Sequence, residues 1–206
     1  MYVKVCGLTS PDAAAEAVAA GVDAIGLMMH PPSPRHLTPE RASEIVAAIE
    51  AARGDRPVDT VLVVAGMDAS EAARMVVRLG VAVLQLHGSA YGPDDYAAAS
   101  AITPRVWRAT SLTTSPDLHV GAYGEEALLL DAPRGGSGER WDLSALRTRP
   151  DGNWLLAGGL DPDNVAAAIA QATPWGVDVS SGVESAPGVK DPQRVRDFVA
   201  AARAAS

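Results

Sequence analysis

Short apolar runs alternate along this chain with stretches in which apolar residues recur every three or four positions. The short runs predict strands at Tyr2 to Cys6, Asp23 to Met28, Thr60 to Ala65, Ala82 to Leu86, Arg105 to Ala109, Ala127 to Asp131, Trp154 to Ala157 and Gly176 to Val179. The periodic stretches predict helices at Asp12 to Ala20, Glu40 to Glu50, Ser70 to Leu79, Pro93 to Ser100, Asp142 to Leu146, Val165 to Ala172 and Arg194 to Ala204. Ala42, Ile45, Val46 and Ile49 fall on one helical face, and so do Val195, Phe198, Val199 and Ala202. Pro116 to Tyr123 is ambiguous, with a short helix as one reading.

The strand segments are continuous apolar runs, without the alternation of a half-exposed strand. This is the pattern of a parallel sheet covered on both faces. Eight such strands, each followed by a helical stretch, and no Gly-x-Gly-x-x-Gly after any of them, favour a closed barrel over an open doubly wound sheet. The expected fold class is therefore α/β, a single (β/α)8 TIM barrel of the phosphate-binding type, with residues 1–206 as one domain. Helix starts repeat one device. Ser10-Pro11, Thr38-Pro39, Asp161-Pro162 and Asp191-Pro192 each place a capping side chain before a proline, which loses nothing at a position whose N–H has no helical partner.

Composition narrows the core and the partners. The chain is 48% hydrophobic and 20% charged but only 4% aromatic, with a single Phe, so aliphatic residues and Ala must fill the interior and the helices should lie close to the sheet. A net charge of −8 disfavours nucleic acid and anionic membranes. No apolar stretch approaches the length of a membrane span, and the N-terminus runs directly into a strand without the order of a signal peptide. The single cysteine has no internal disulfide partner. These features predict a cytoplasmic protein; monomer and homodimer both stay open.

In such a barrel, functional side chains stand where strands end. Cys6 ends the first strand, with Lys4 on the same face two residues earlier; a buried cation there would favour a thiolate able to take a proton from carbon. The alternative is a simply buried thiol beside an ordinary lysine. Asp131 follows Ala127-Leu128-Leu129-Leu130, where desolvation raises a carboxyl pKa and suits it to donate a proton; a loop-anchoring Asp is the competing reading. Arg35 lies in Pro31-Pro32-Ser33-Pro34-Arg35-His36, a loop stiffened by three prolines, and its guanidinium suits a planar carboxylate. Gln85 and His87 close the fourth strand and are candidate ligand contacts, Gln85 alternatively serving the barrel interior. The glycine-rich Pro133-Arg134-Gly135-Gly136-Ser137-Gly138 is either a lid or an ordinary loop. Gly158 and Gly159 after the seventh strand, with Ser180, Ser181 and Gly182 after the eighth, occupy the usual phosphate position of this fold. Glycines let backbone N–H groups approach an anion there. No His, Cys, Asp or Glu cluster has metal-ligand spacing, so no metal is expected.

These residues together resemble the phosphoribosylanthranilate isomerase family of tryptophan biosynthesis. The resemblance rests on Val3-Lys4-Val5-Cys6-Gly7-Leu8-Thr9, Pro32-Ser33-Pro34-Arg35, Val83-Leu84-Gln85-Leu86-His87-Gly88, Leu128-Leu129-Leu130-Asp131, Gly135-Gly136-Ser137-Gly138, Ala157-Gly158-Gly159-Leu160 and Val177-Asp178-Val179-Ser180-Ser181-Gly182-Val183-Glu184, in family order over nearly the whole chain. It implies a cofactor-free and metal-free Amadori rearrangement of N-(5-phosphoribosyl)anthranilate, a small phosphorylated substrate. Asp131 would be the general acid, Cys6 the general base, Arg35 the holder of the anthranilate carboxylate, and Gly159, Ser181 and Gly182 part of the phosphate loops. The chain departs from the family at Met28-Met29-His30, where aromatics are common, at the third strand, which lacks the usual Phe, and at Arg108, where a lysine is frequent; the loop after Asp131 is also short. These changes are expected to alter the pocket walls. The competing functional readings are a divergent sugar-phosphate isomerase and a non-catalytic barrel that binds a phosphometabolite.

Overall fold

The computed structural model describes residues 1–114, 116–132, 146 and 148–205. Eight parallel strands close into a barrel in chain order: β1 (Tyr2–Cys6), β2 (Ala24–Met29), β3 (Asp59–Val64), β4 (Val83–His87), β5 (Val106–Ser111), β6 (Ala127–Asp131), β7 (Trp154–Leu156) and β8 (Gly176–Val179). Closure pairs β8 with β1, and the register sets Lys4 beside Asp178. The helices are α1 (Pro11–Ala20), α2 (Pro39–Arg53), α3 (Ala69–Leu79), α4 (Pro93–Ser100), α5 (Val165–Ala172) and α6 (Pro192–Ala204). A two-stranded antiparallel hairpin, β9 (Glu184–Ala186) and β10 (Val189–Lys190), follows β8. Among the described residues no helix is long and apolar enough to cross a membrane.

Alternate residues of each strand point to two cores. Cys6, Val61, Val63, Trp107, Ala109, Leu129 and Leu155 face the barrel interior. Val3, Val5, Ile25, Leu62, Leu84, Leu128 and Val177 face the helices, where buried Ala14, Ala17, Ala42, Ala72 and Ala73 let the helices lie close. The N-terminal end of the barrel is sealed by Tyr2, whose ring stacks on Trp175 at 4.3 Å and meets Trp107 edge-on at 6.0 Å. The other end, where the strands stop, is left for chemistry.

Three of the four predicted caps form: Ser10, Thr38 and Asp191 each accept a backbone N–H of the first turn. Asp161 does not start a helix. Its carboxylate accepts the N–H groups of Asp163 and Asn164 in a turn, and α5 begins only at Val165. Of the two readings left open for Pro116 to Tyr123, the short helix does not form; the segment runs as extended chain and turns. The carbonyls of Asp117 and His119, which a helix would need, instead accept the Arg108 guanidinium at 2.8 and 3.1 Å. Arg108 also holds Glu125 at 2.7 Å and lies 4.8 Å over the Tyr123 ring. It therefore points toward the outer layer, and its expected influence on the pocket wall is corrected. The Asp142 to Leu146 helix lies outside the described residues except at Leu146, and the Pro133 to Gly138 loop lies wholly outside them.

Candidate active site

A cavity of about 380 Å³ opens at the C-terminal end of the barrel, with Cys6, Arg35, Gln85, His87 and Asp131 in its walls, together with Asp178 and Ser180. A smaller annex of about 40 Å³ lies beside it, walled by Gly158, Gly159 and Ser181, and shares Asp131, Asp178 and Ser180 with the larger space. The thiol from β1 and the carboxyl from β6 thus meet one cavity, and the loops after β7 and β8 border its annex.

Cys6 is buried and unpaired in any disulfide. Its neighbour in register across to β2 is Gly26, where a Cβ would stand 2.6 Å from the Cys6 Sγ; only glycine leaves that space to the sulfur. Burial pushes the thiol above its ordinary range and Asp178 adds to this, while Lys4 and Lys190 only partly offset it. Lys4 does favour the thiolate, as expected, but desolvation outweighs it. Lys4 is also not a cavity wall. It is fully buried behind the lining residues and donates to Asp178 at 2.9 Å. Burial opposes its charge, but Asp178 and Cys6 outweigh that and raise its pKa.

Asp131 ends a fully buried strand. Its pKa is raised to about 6, by burial first and then by the charge of Asp178, against the pull of the Ala132 N–H and Lys4. That N–H donates to Asp131 Oδ1 at 2.8 Å. Oδ2 faces His87 Nε2 at 3.8 Å, beyond hydrogen-bond range. A third of the His87 side chain faces the open cavity. The wall behind it pushes its pKa down to about 4, with Lys4 and His30 contributing, so the imidazole is neutral at ordinary pH. Gln85 points from β4 into the cavity; its Oε1 is buried and has no hydrogen-bond partner among the described residues. A buried acceptor left open in this way awaits a donor.

Arg35 reaches the cavity, but not with its whole fork. Nε and Nη2 bind the two oxygens of Glu184 at 2.7 and 2.8 Å. Glu184 in turn accepts from Lys190 Nζ at 2.6 Å. Burial would raise the Glu184 carboxyl, yet Arg35 and Lys190 outweigh it and hold the group below its ordinary value.

The anion loops are close-built. Gly158 and Gly159 carry positive φ values of 89° and 65° in succession, and the Gly159 carbonyl is held by Asn164 at 2.8 Å. A Cβ on Gly182 would strike the Leu160 carbonyl, so the two loops touch there. The Gly182 carbonyl accepts from Arg194 at 2.9 Å, and Gly182 backs the annex without lining it. Ser180 does not offer its hydroxyl as expected, since Oγ donates to the Cys6 carbonyl at 3.0 Å. Ser181 does line the annex.

Three participants, Asp178, Glu184 and Lys190, were given no role from the sequence. Asp178 is a carboxylate inside an apolar strand, a signal visible in Val177-Asp178-Val179 but without meaning until the register sets it beside Lys4. Glu184 and Lys190 become partners only through the hairpin, where they are directly opposite in register. Met28 and His30 line the cavity, as expected from the departure at Met28-Met29-His30, and His30 Nδ1 bonds the Ala65 carbonyl at 3.0 Å. Among the described residues no group of three or more His, Cys, Asp and Glu side chains could hold a metal ion.

The model of one family, N-(5'-phosphoribosyl)anthranilate isomerase, matches residues 3–201. An N-(5'-phosphoribosyl)anthranilate isomerase from Solibacter usitatus is 42% identical over 212 residues, covering 100% of this chain and 98% of its own. The crystal structure of TrpF from Jonesia denitrificans superposes with a TM-score of 0.90 at 60% identity, covering 100% of this chain and 98% of the other. A phosphoribosyl anthranilate isomerase solved in complex with reduced 1-(o-carboxyphenylamino)-1-deoxyribulose 5-phosphate superposes with a TM-score of 0.80 at 28% identity, covering 99% of each chain.

Proposed function

The chain belongs to the N-(5'-phosphoribosyl)anthranilate isomerase family, and from that premise we propose that Asp131 and Cys6 divide between them the two proton transfers of its reaction. It converts N-(5'-phosphoribosyl)anthranilate to 1-(2-carboxyphenylamino)-1-deoxyribulose 5-phosphate by an Amadori rearrangement, a step of tryptophan biosynthesis.

The observation that carries the proposal is the convergence of a β1 thiol and a β6 carboxyl on one cavity. Asp131, with its pKa raised to about 6, protonates the ribose ring oxygen as the bond from that oxygen to C1 breaks, giving the open-chain Schiff base. Cys6, as thiolate, removes the proton from C2, and the electron pair moves to form the C1–C2 double bond of an enolamine. The enolamine gains a proton at C1 and loses one from the C2 hydroxyl to give the ketone. Asp131 has then released a proton and Cys6 has taken one up, so their protons must be exchanged before the next turnover.

The annex beside Gly158, Gly159 and Ser181 suits the phosphate, since paired positive-φ glycines expose backbone N–H groups to an anion. The free end of the Arg35 fork suits the ring carboxylate. Gln85 Oε1 is the open acceptor for a hydroxyl or amine proton of the substrate, and neutral His87 is a further polar contact beside Asp131. The net negative charge and the lone free thiol fit work in the cytoplasm.

Cys6→Ala and Asp131→Asn are each expected to lower kcat by a factor of roughly 100–10,000, while affinity for the product, measured by calorimetry, stays near that of the parent. Turnover at the parental rate in either variant would refute the assignment.

A further inference from the structure

Glu184 binds Arg35 side-on, one carboxylate oxygen on Nε and the other on Nη2. What is left of the guanidinium is its far end, the two hydrogens on Nη1 and the second hydrogen on Nη2. Those are the donors of an end-on, two-bond grip on a carboxylate. Glu184 opens β9 and Lys190 ends β10, opposite it in register. Lys190 Nζ spends its hydrogens inside the protein: 2.6 Å to Glu184 Oε1, 3.0 Å to the Ser180 carbonyl and 3.4 Å to Ser180 Oγ. It therefore has no donor to offer a ligand. The hairpin is tied to the loop after β1 by Thr9, whose hydroxyl donates to the Gly188 carbonyl at 2.8 Å.

The side chains of Arg35, Glu184 and Lys190 are only 9%, 5% and 2% exposed. Two cations and one anion are thus buried together, and the group lacks one negative charge. Burying unbalanced charge is costly unless a counter-ion completes it. The open end of Arg35 faces the cavity, where an anionic substituent of the substrate would supply that charge.

We propose that Glu184 is a positioning residue that fixes Arg35 for end-on capture of the ring carboxylate, and that Lys190 ties this grip to Ser180 at the phosphate annex. The distance between the two anionic ends of the substrate is then set by one buried strap, Arg35–Glu184–Lys190–Ser180. Ser180 continues it to the base, through its bond to the Cys6 carbonyl. This inference rests on the reading of Arg35 given under Proposed function.

The test compares N-(5'-phosphoribosyl)anthranilate with N-(5'-phosphoribosyl)aniline, which lacks the ring carboxylate, in the parent and in Glu184→Gln, Glu184→Asp and the double variant Glu184→Gln/Lys190→Met. The double variant restores the original charge balance, so it keeps the test open if Glu184→Gln alone folds poorly. The parent is expected to prefer the carboxylate-bearing substrate in kcat/KM. Glu184→Gln and the double variant are expected to reduce that preference roughly tenfold, mainly through KM for the anthranilate compound, and Glu184→Asp is expected to recover part of it. A preference unchanged in both Gln variants, or an equal fall on both substrates, would overturn the inference and leave Glu184 a purely structural group. Equal turnover of both substrates by the parent would instead remove the Arg35 reading itself.

Discussion

At Cys6 and Asp131 burial raises both pKa values, which suits the acid as expected but opposes the base. Burial keeps the thiol protonated, while a carboxyl at about 6 is mostly ionised at neutral pH. The productive form, thiolate with protonated Asp131, holds the same single proton as this resting form, so the ratio of the two does not change with pH. Below about pH 6 a second proton joins Asp131 in the resting form, and the site then carries one proton too many to contain a thiolate. kcat/KM is therefore expected to fall as pH drops through about 6 and to stay level above it until the thiol itself titrates. A profile that declines as pH rises through that value would contradict the shared-proton account. Neutral His87, at about 4, does not titrate in this window. Both residues were legible in the sequence, because each ends an apolar strand of a barrel. The tuning around them was not: Lys4 was visible, but its commitment to Asp178 depends on the β1–β8 register, which joins residues 174 apart.

Among the elements, the β5–β6 connection shows why local periodicity left Pro116 to Tyr123 ambiguous. Arg108 crosses outward from β5 and claims two carbonyls and the buried Glu125 carboxylate, so side-chain bonds replace the helical ladder there. Arg108→Ala would strand Glu125 in the interior and is expected to cost about 3–5 kcal/mol of stability by urea unfolding. Because Arg108 faces away from the cavity, kcat of the folded variant should remain close to that of the parent. A stable variant with a large loss in kcat would show that the side chain serves the site instead. The strand and helix order was readable from apolar runs, helical faces and Pro-containing caps. The β9–β10 hairpin was not, since Glu184–Ala186 and Val189–Lys190 are too short and polar to give a pattern; what holds Glu184 is an arginine 149 positions earlier.

Across the whole molecule, closure of the barrel converts separate strand ends into one reaction chamber. β1 contributes the thiol, β6 the carboxyl, and the β7 and β8 loops the annex, while the aromatic seal at Tyr2 shuts the opposite end. The net charge of −8 gives the anionic substrate no general attraction, so binding depends on local donors, for which Arg35 and the glycine loops are the candidates. The division of the two protons between the two walls is tested most directly by single-turnover kinetics with substrate carrying deuterium at C2. In Cys6→Ser, where proton removal is slowed, the account predicts a large primary isotope effect; in Asp131→Asn, where ring opening becomes limiting, it predicts that the effect disappears. An equal isotope effect in both variants, or the reverse pattern, would contradict it.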